Sequence, residues 1–265
     1  MRLSKQSVEL KYVSPLALIA DGIRYSRANH QKSDSWAILE RVSVDQQLLC
    51  SRCGNPLKND SFNYCNGQKC CEKCDICYTI EDHIGPKDLD LIKRIGFHAR
   101  HESVLEHSLI VYEVKMSTKA LLEESRHRIG VSQVVTSSRY ALDVIDIEFM
   151  ETKNDFVNQM LKNHKKQIMA LLNTMKDENG KIKKSDMDDL AMLLPQAFIY
   201  TMQLSFNLRS LMHFLRLRTE PGAHYSIREI AIMLIDELSD LWKELVFQDK
   251  KVKENYEKFK KENNG

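Results

Sequence analysis

The chain has 265 residues, 43% hydrophobic and 29% charged. That suits one large domain or two small ones around a true core, and excludes a disordered or fibrous chain. Lys and Arg total 39 against 37 Asp and Glu, a net charge of +2, so there is no global basic field of the kind that captures nucleic acid.

Periodicity predicts the elements in chain order. Residues 8–13 alternate as a strand that stops near Pro15, and residues 16–27 have helical spacing. Residues 48–78 hold all seven cysteines, show little periodicity and read as an insert within a single domain spanning 1–265. Pro86 precedes a helix over 88–97. Residues 108–116, rich in β-branched and aromatic side chains, form a strand. A helix over 118–127 and a second strand over 141–149 follow. The remainder reads as helical: 154–176, a turn at Asn179-Gly180, a helix capped by Ser185 and interrupted by Pro195, a long helix over 198–217, and a last amphipathic helix over 225–247. Residues 250–265 are lysine-rich and read as a solvated tail. No apolar run approaches ~18 residues, so no transmembrane helix and no membrane partner are expected. The opening residues lack the apolar core of a signal peptide, and a cytoplasmic protein is expected.

The cysteines are Cys50, Cys53, Cys65, Cys70, Cys71, Cys74 and Cys77. An odd number without a secretory signal argues against a disulfide framework. Cys50-x2-Cys53 followed by Gly54 is a turn that points two thiolates at one ion, and 17 residues separate it from Cys71-x2-Cys74. This is the spacing of a closed, structural four-thiolate zinc site made by Cys50, Cys53, Cys71 and Cys74. Cys74-x2-Cys77 is a competing second knuckle.

Three other segments concentrate polar groups: His98 to His107, Arg126-His127-Arg128 with Ser137-Ser138-Arg139-Tyr140, and Asn207, Arg209, His213, Arg216 and Arg218. Guanidinium groups make forked, charge-assisted bonds to phosphate oxygens, and serine beside arginine adds donors. Taken singly, His127 reads as a hydrogen-bonded core histidine, Glu106 and His107 as a surface pair, and Arg216 as a solvated charge. Repetition across three segments favours a site for an anionic ligand.

The series His101-Glu102-Ser103-Val-Leu-Glu106-His107, a strand, Arg126-His127-Arg128, Ser137-Ser138-Arg139-Tyr140, then residues 207–218 and Ala223-His224 to Ile227-Arg228-Glu229 resembles the flavin-dependent thymidylate synthase family. The resemblance implies an α+β fold, an antiparallel sheet with packed helices, carrying the small zinc-knuckle insert. It implies a homotetramer with active sites where subunits meet. It also implies FAD, NADPH and methylenetetrahydrofolate as cofactors and dUMP as substrate, reductively methylated to dTMP without a cysteine nucleophile. Carried over by position, His101, Ser103, Arg126, His127, Arg128, Asn207, Arg209 and His213 would contact the flavin. Arg126, Ser137, Ser138 and Arg139 would bind dUMP, and Arg218 would hold and polarise the uracil ring as the catalytic residue.

Four features depart from the family pattern, three of them near the nucleotide and one, Gly222, at a flavin-facing position. Residues 129–136 make eight between the triplet and the serine where the family has seven, and the frequent Asn-Glu pair is missing from them. Ala191 stands where many members have a basic residue, and Gly222 where many have a histidine. The altered loop after Arg128 motivates one rival, a hydroxymethylase or other pyrimidine-nucleotide modifying enzyme on the same scaffold; the cysteine insert motivates another, a non-catalytic zinc-knuckle binding protein on a retired flavin fold. Lys58, Lys69 and Lys73 would serve the latter for nucleic acid, but Asp60, Glu72 and Asp75 dilute their charge.

Overall fold

The computed structural model describes residues 2–35, 48–49, 56–57, 69–71, 76–78, 84–142 and 145–263. Its centre is a four-stranded antiparallel sheet of β1 (Ser7–Val13), β2 (Ile110–Ser117), β3 (Val131–Val135) and β4 (Ile199–Phe206), in the spatial order β1-β2-β4-β3. The expected α+β architecture is thus the one observed. Register follows side-chain alternation: in β2, Ile110, Tyr112, Val114 and Met116 point into the core while Glu113 points out. Ile110 faces Phe206 and Ser117 faces Ile199 across the β2–β4 ladder.

The helices are α1 (Ala17–Tyr25), α2 (Pro86–Ile92), α3 (Thr118–Glu124), α4 (Ser138–Ala141), α5 (Asp155–Met175), α6 (Lys184–Ala191), α7 (Leu208–Arg218), α8 (Tyr225–Asp236), α9 (Asp240–Val246) and α10 (Lys250–Asn263). The main core lies between the sheet and α1, α7, α8 and α9, and contains Tyr112, Phe206, Phe214 and Trp242. A smaller cluster around Phe149, Phe198, Ile168 and Leu190 packs α5 and α6. Arg24 pairs with the fully buried Asp88, and Gly85 donates its amide to Ser35 Oγ at 2.9 Å, so residue 35 lies beside residue 85.

Several elements differ from the sequence reading. Residues 198–217 are not one helix: Met202, Leu204 and Phe206 alternate inward as β4, and helical spacing begins only at Leu208. Both periods are apolar-rich, and Asn207, which accepts from Ser210 N at 2.8 Å as the cap of α7, marks the switch. The strand expected over 141–149 is replaced at its start by α4, and Phe149 makes only an isolated bridge to Phe198. β3 lies outside the sequence reading, because it is a sheet edge whose Ser132, Gln133 and Val134 are all exposed, so no in–out alternation marks it. The cap of α6 is Lys183 rather than Ser185. The helix over 225–247 divides into α8 and α9. The lysine-rich stretch is the 14-residue helix α10 rather than a solvated tail. It is held by the fully buried Val252, by Tyr256 and Lys260 on Asp236, and by Phe259 under Arg228.

Candidate active site

Three of the polar stretches, residues 102–106, 126–130 and 207–218, converge where β4 ends. A short 3-10 turn (Glu102–Glu106) leads into β2, residues 126–130 lead into β3, and α7 leaves β4. The joint is tight. Asn207 N donates to Gly130 O at 3.2 Å, and Ser210 Oγ donates to Ile129 O at 2.7 Å. Gly130 has φ +66°, and a side chain there would collide with Ser210 Oγ and Asn207 Nδ2, so only glycine lets the arginine-rich segment lie against the start of α7. Before the turn, α2 widens into a π-helical turn (Lys93–His98), and Arg100 takes φ +56°, an uncommon conformation for a non-glycine residue.

Between these segments lies a cleft of about 600 Å³. Arg126, Arg128, Arg209, Arg216 and Arg218 line it together with Glu102, Glu106, His127 and His213. Phe97, Leu105, Ile129, Val131, Met212 and Leu217 supply an apolar wall. The cations outnumber the two lining carboxylates, so the cleft attracts anions. Arg209 is engaged by Glu106 at 2.5 Å and approached by Glu102 at 3.8 Å. Arg128 has no ion-pair or hydrogen-bond partner among the described residues.

Arg218 is the most constrained of the five. Its Nη1 donates to Glu123 Oε2 at 3.0 Å, its Nη2 to Glu123 O at 2.8 Å, and its Nε to His127 Nε2 at 3.1 Å. A guanidinium has five N–H groups, so this clamp leaves two for a ligand. Because Nε can only donate, His127 Nε2 must accept and its proton sits on Nδ1. Burial, then the neighbouring charge of Arg218, pushes the His127 pKa down to about 4, which keeps the ring neutral for that role. His127 also packs edge-on against Phe214 at 4.9 Å. The hydrogen bond from Lys119, with the charges of Arg126 and Arg218, holds the Glu123 carboxyl below its usual range despite burial. Next to it, Glu124 is fully buried, and neither of its oxygens has a partner among the described residues. Burial pushes its pKa up to about 7, against the pull of Arg218.

Of the residues the sequence singled out, Arg126, His127, Arg128, Arg209, His213 and Arg218 meet in the cleft. Asn207 stands at its edge as a helix cap. His101 and Ser103 are exposed, beside the cleft rather than lining it. Ser137, Ser138 and Arg139 lie beyond the opposite end of β3, about 17 Å of strand away. There Arg139 pairs with Asp188 at 3.2 Å, and Lys184 lies 5.0 Å from the Tyr140 ring centre. Gly222 has open space around its Cβ position, and Ala191 ends α6. Cys50, Cys53 and Cys74 fall outside the described residues, and only the backbone of Cys71 is described. Sequence reading missed Glu123, Glu124 and Gly130. The Lys119-x3-Glu123-x2-Arg126 spacing on a helix was the available signal for Glu123.

This arrangement can be set beside known proteins. The family model described as thymidylate synthase complementing protein matches residues 61–242. The flavin-dependent thymidylate synthase of Helicobacter pylori is 35% identical over 178 residues, covering 62% of this chain and 84% of that protein. The chain belongs to the flavin-dependent thymidylate synthase family. Its fold matches solved structures of the same kind. Thymidylate synthase X from Helicobacter pylori, solved with FAD and dUMP, aligns with a TM-score of 0.63 at 23% identity, covering 94% of this chain and 99% of that one. The UMP/dUMP methylase PolB from Streptomyces cacaoi, solved with 5-Br UMP, aligns with a TM-score of 0.58 at 16% identity, covering 94% and 96%. The helix α10 lies beyond the segment matched by the family model.

Proposed function

We propose that this member of the family converts dUMP to dTMP by FAD-dependent reductive methylation, with methylenetetrahydrofolate and NADPH as co-substrates. The observation that carries the reading is the meeting of Arg126-His127-Arg128 with Arg209, His213 and Arg218 in one cleft. The donor set fits FAD: the apolar wall suits a flat ring system and the arginines suit a diphosphate. When bound and reduced, FAD supplies the hydride and relays the one-carbon unit. The chain's own residues bind and orient. Arg218, clamped by Glu123 and His127, offers its two remaining N–H groups to a carbonyl of the pyrimidine and stabilises negative charge developing on the ring. No proton needs to leave Arg218, because guanidinium stays charged.

Ser137, Ser138 and Arg139 would bind the dUMP phosphate from a second copy of the chain, since β3 separates them from Arg218 within one copy. Support for a homotetramer comes from the apolar residues exposed in and around that strand: Ile129 at 87%, Val134 at 71% and Tyr140 at 63%. No helix among the described residues is long and apolar enough to cross a membrane, and we assign the reaction to the cytoplasm. For residues 48–78 we propose one structural zinc held by Cys50, Cys53, Cys71 and Cys74 in an insert anchored at residues 35 and 85. Metal analysis of protein prepared without oxygen should find about one zinc per chain; no zinc would overturn that assignment.

The deciding experiment incubates purified protein with dUMP, methylenetetrahydrofolate and NADPH and identifies the product by mass. dTMP supports the reading. A hydroxymethylated nucleotide would favour the rival motivated by the longer 129–136 segment, and no product with any pyrimidine nucleotide would sink both.

A further inference from the structure

Arg216 lines the cleft, yet the reading above gives it no role. Its Nε donates to Asp249 Oδ2 at 2.6 Å. The side chain of Asp249 is only 11% exposed. Its other oxygen accepts from the backbone N–H of Lys251 at 3.0 Å and Val252 at 3.3 Å, so the same carboxylate starts α10. That helix is fixed independently. Val252 is fully buried, and Asn255 Nδ2 reaches Thr219 Oγ1 at 3.4 Å. The carboxylate is therefore a rigid post rather than a surface group that follows the arginine.

The pairing leaves the terminal nitrogens of Arg216 open. Arginine–carboxylate pairs are strongest in a forked, two-bond geometry. Here Nε alone is engaged, and the four N–H groups of Nη1 and Nη2 have no partner among the described residues. Arg128, which has no ion-pair or hydrogen-bond partner among the described residues, lines the same cleft. A held guanidinium with free terminal nitrogens, in the same apolar-walled cleft as the unpartnered Arg128, matches the donor pattern of a phosphate site.

We propose that Arg216 binds a phosphate group of the nucleotide ligand in this cleft, and that Asp249 is its positioning residue. The inference rests on the cleft being the flavin and nucleotide site. It gives α10, which lies beyond the family match, a part in ligand binding.

The test uses the full chain stripped of flavin, with FAD and riboflavin titrated separately by fluorescence and the KM for dUMP measured after reloading. Riboflavin lacks the phosphates. Arg216→Gln should weaken FAD at least tenfold and leave riboflavin unchanged. Arg216→Lys, which keeps the charge and loses the fork, should show a smaller loss of the same selectivity, and it carries the test if the glutamine variant fails to fold. Asp249→Asn, whose amide oxygen can still cap α10, should lose FAD selectively and by less. A tenfold rise in KM for dUMP, with kcat and FAD affinity unchanged, would support the proposal with the substrate as the source of the phosphate. Equal weakening of FAD and riboflavin, or no change in FAD affinity and in KM for dUMP, would overturn it. Failure of the wild-type chain to bind either flavin would instead overturn the assignment of the cleft, and this inference with it.

Discussion

Arg218 and its neighbours show how single residues divide the work of the site. Arginine is needed at 218 because three of its N–H groups are spent on Glu123 and His127 while two stay available. Lysine has one nitrogen and no planar fork. Arg218→Lys should therefore cost roughly two to three orders of magnitude in turnover, with flavin occupancy largely kept, read by tritium release from ring-labelled dUMP beside the flavin absorbance. Unchanged release would mean that a different arginine holds the pyrimidine. Glu124 makes a separate prediction about stability. Its folded pKa of about 7 lies above the ordinary 4.5. The stabilisation tied to its proton is fully present below pH 4.5 and is lost as pH rises through 7. His127, with a folded pKa of about 4 against 6.5, acts in the opposite sense: its contribution is present above pH 6.5 and is lost as pH falls toward 4. The comparison must therefore be made against wild type at each pH. Glu124→Gln, which mimics the neutral acid, should match wild type near pH 4.5 and exceed it by roughly 2–3 kcal/mol at pH 8, measured by denaturant unfolding. A gap that does not grow with pH would show that Glu124 is already ionised or paired in the folded chain.

At the scale of elements, α10 carries the clearest consequence. Its sequence is rich in lysine, and only Val252 among its residues is buried. The buried Val252, the partly buried Tyr256, a capping aspartate and a few pairs onto Asp236, Thr219 and Arg228 nevertheless fix the whole helix. Val252→Asp removes the burial and forces a charge toward the core. It should destabilise the chain by more than about 2 kcal/mol and speed amide exchange across 250–263. Exchange that is already fast in wild type would contradict a docked helix. The same scale explains the misread helix over 198–217. Strand and helix meet there within one apolar run, and no local signal outweighs the run except the cap at Asn207.

For the whole molecule, the separation of Ser137, Ser138 and Arg139 from the cleft decides what assembly must do. If copies bring these groups together, apolar contacts along β3 should hold the oligomer, and Val134→Lys should break it. Light scattering should then find a tetramer for wild type and a smaller species for the variant, with turnover lost alongside. A variant that stays tetrameric would move the interface elsewhere. The sequence by itself determined the parts of this protein that are local in the chain. The arginine-rich triplet, the serine–arginine group and the polar residues of α7 stand out by short spacings, so they could be singled out as candidates before any fold was known. The sheet strands β1 and β2 were readable too, β1 from its alternation and β2 from its β-branched and aromatic side chains. Only the tertiary structure decided which of these groups meet. Glu123 gains its role from Arg218, 95 residues away in the chain. Arg216 gains its anchor from Asp249, 33 residues on. Glu124 is raised in pKa by burial that its own helix does not reveal. Spacing along the chain fixes what a segment can contact within a turn or a strand, whereas charge pairing, desolvation and close approach between distant segments depend on packing.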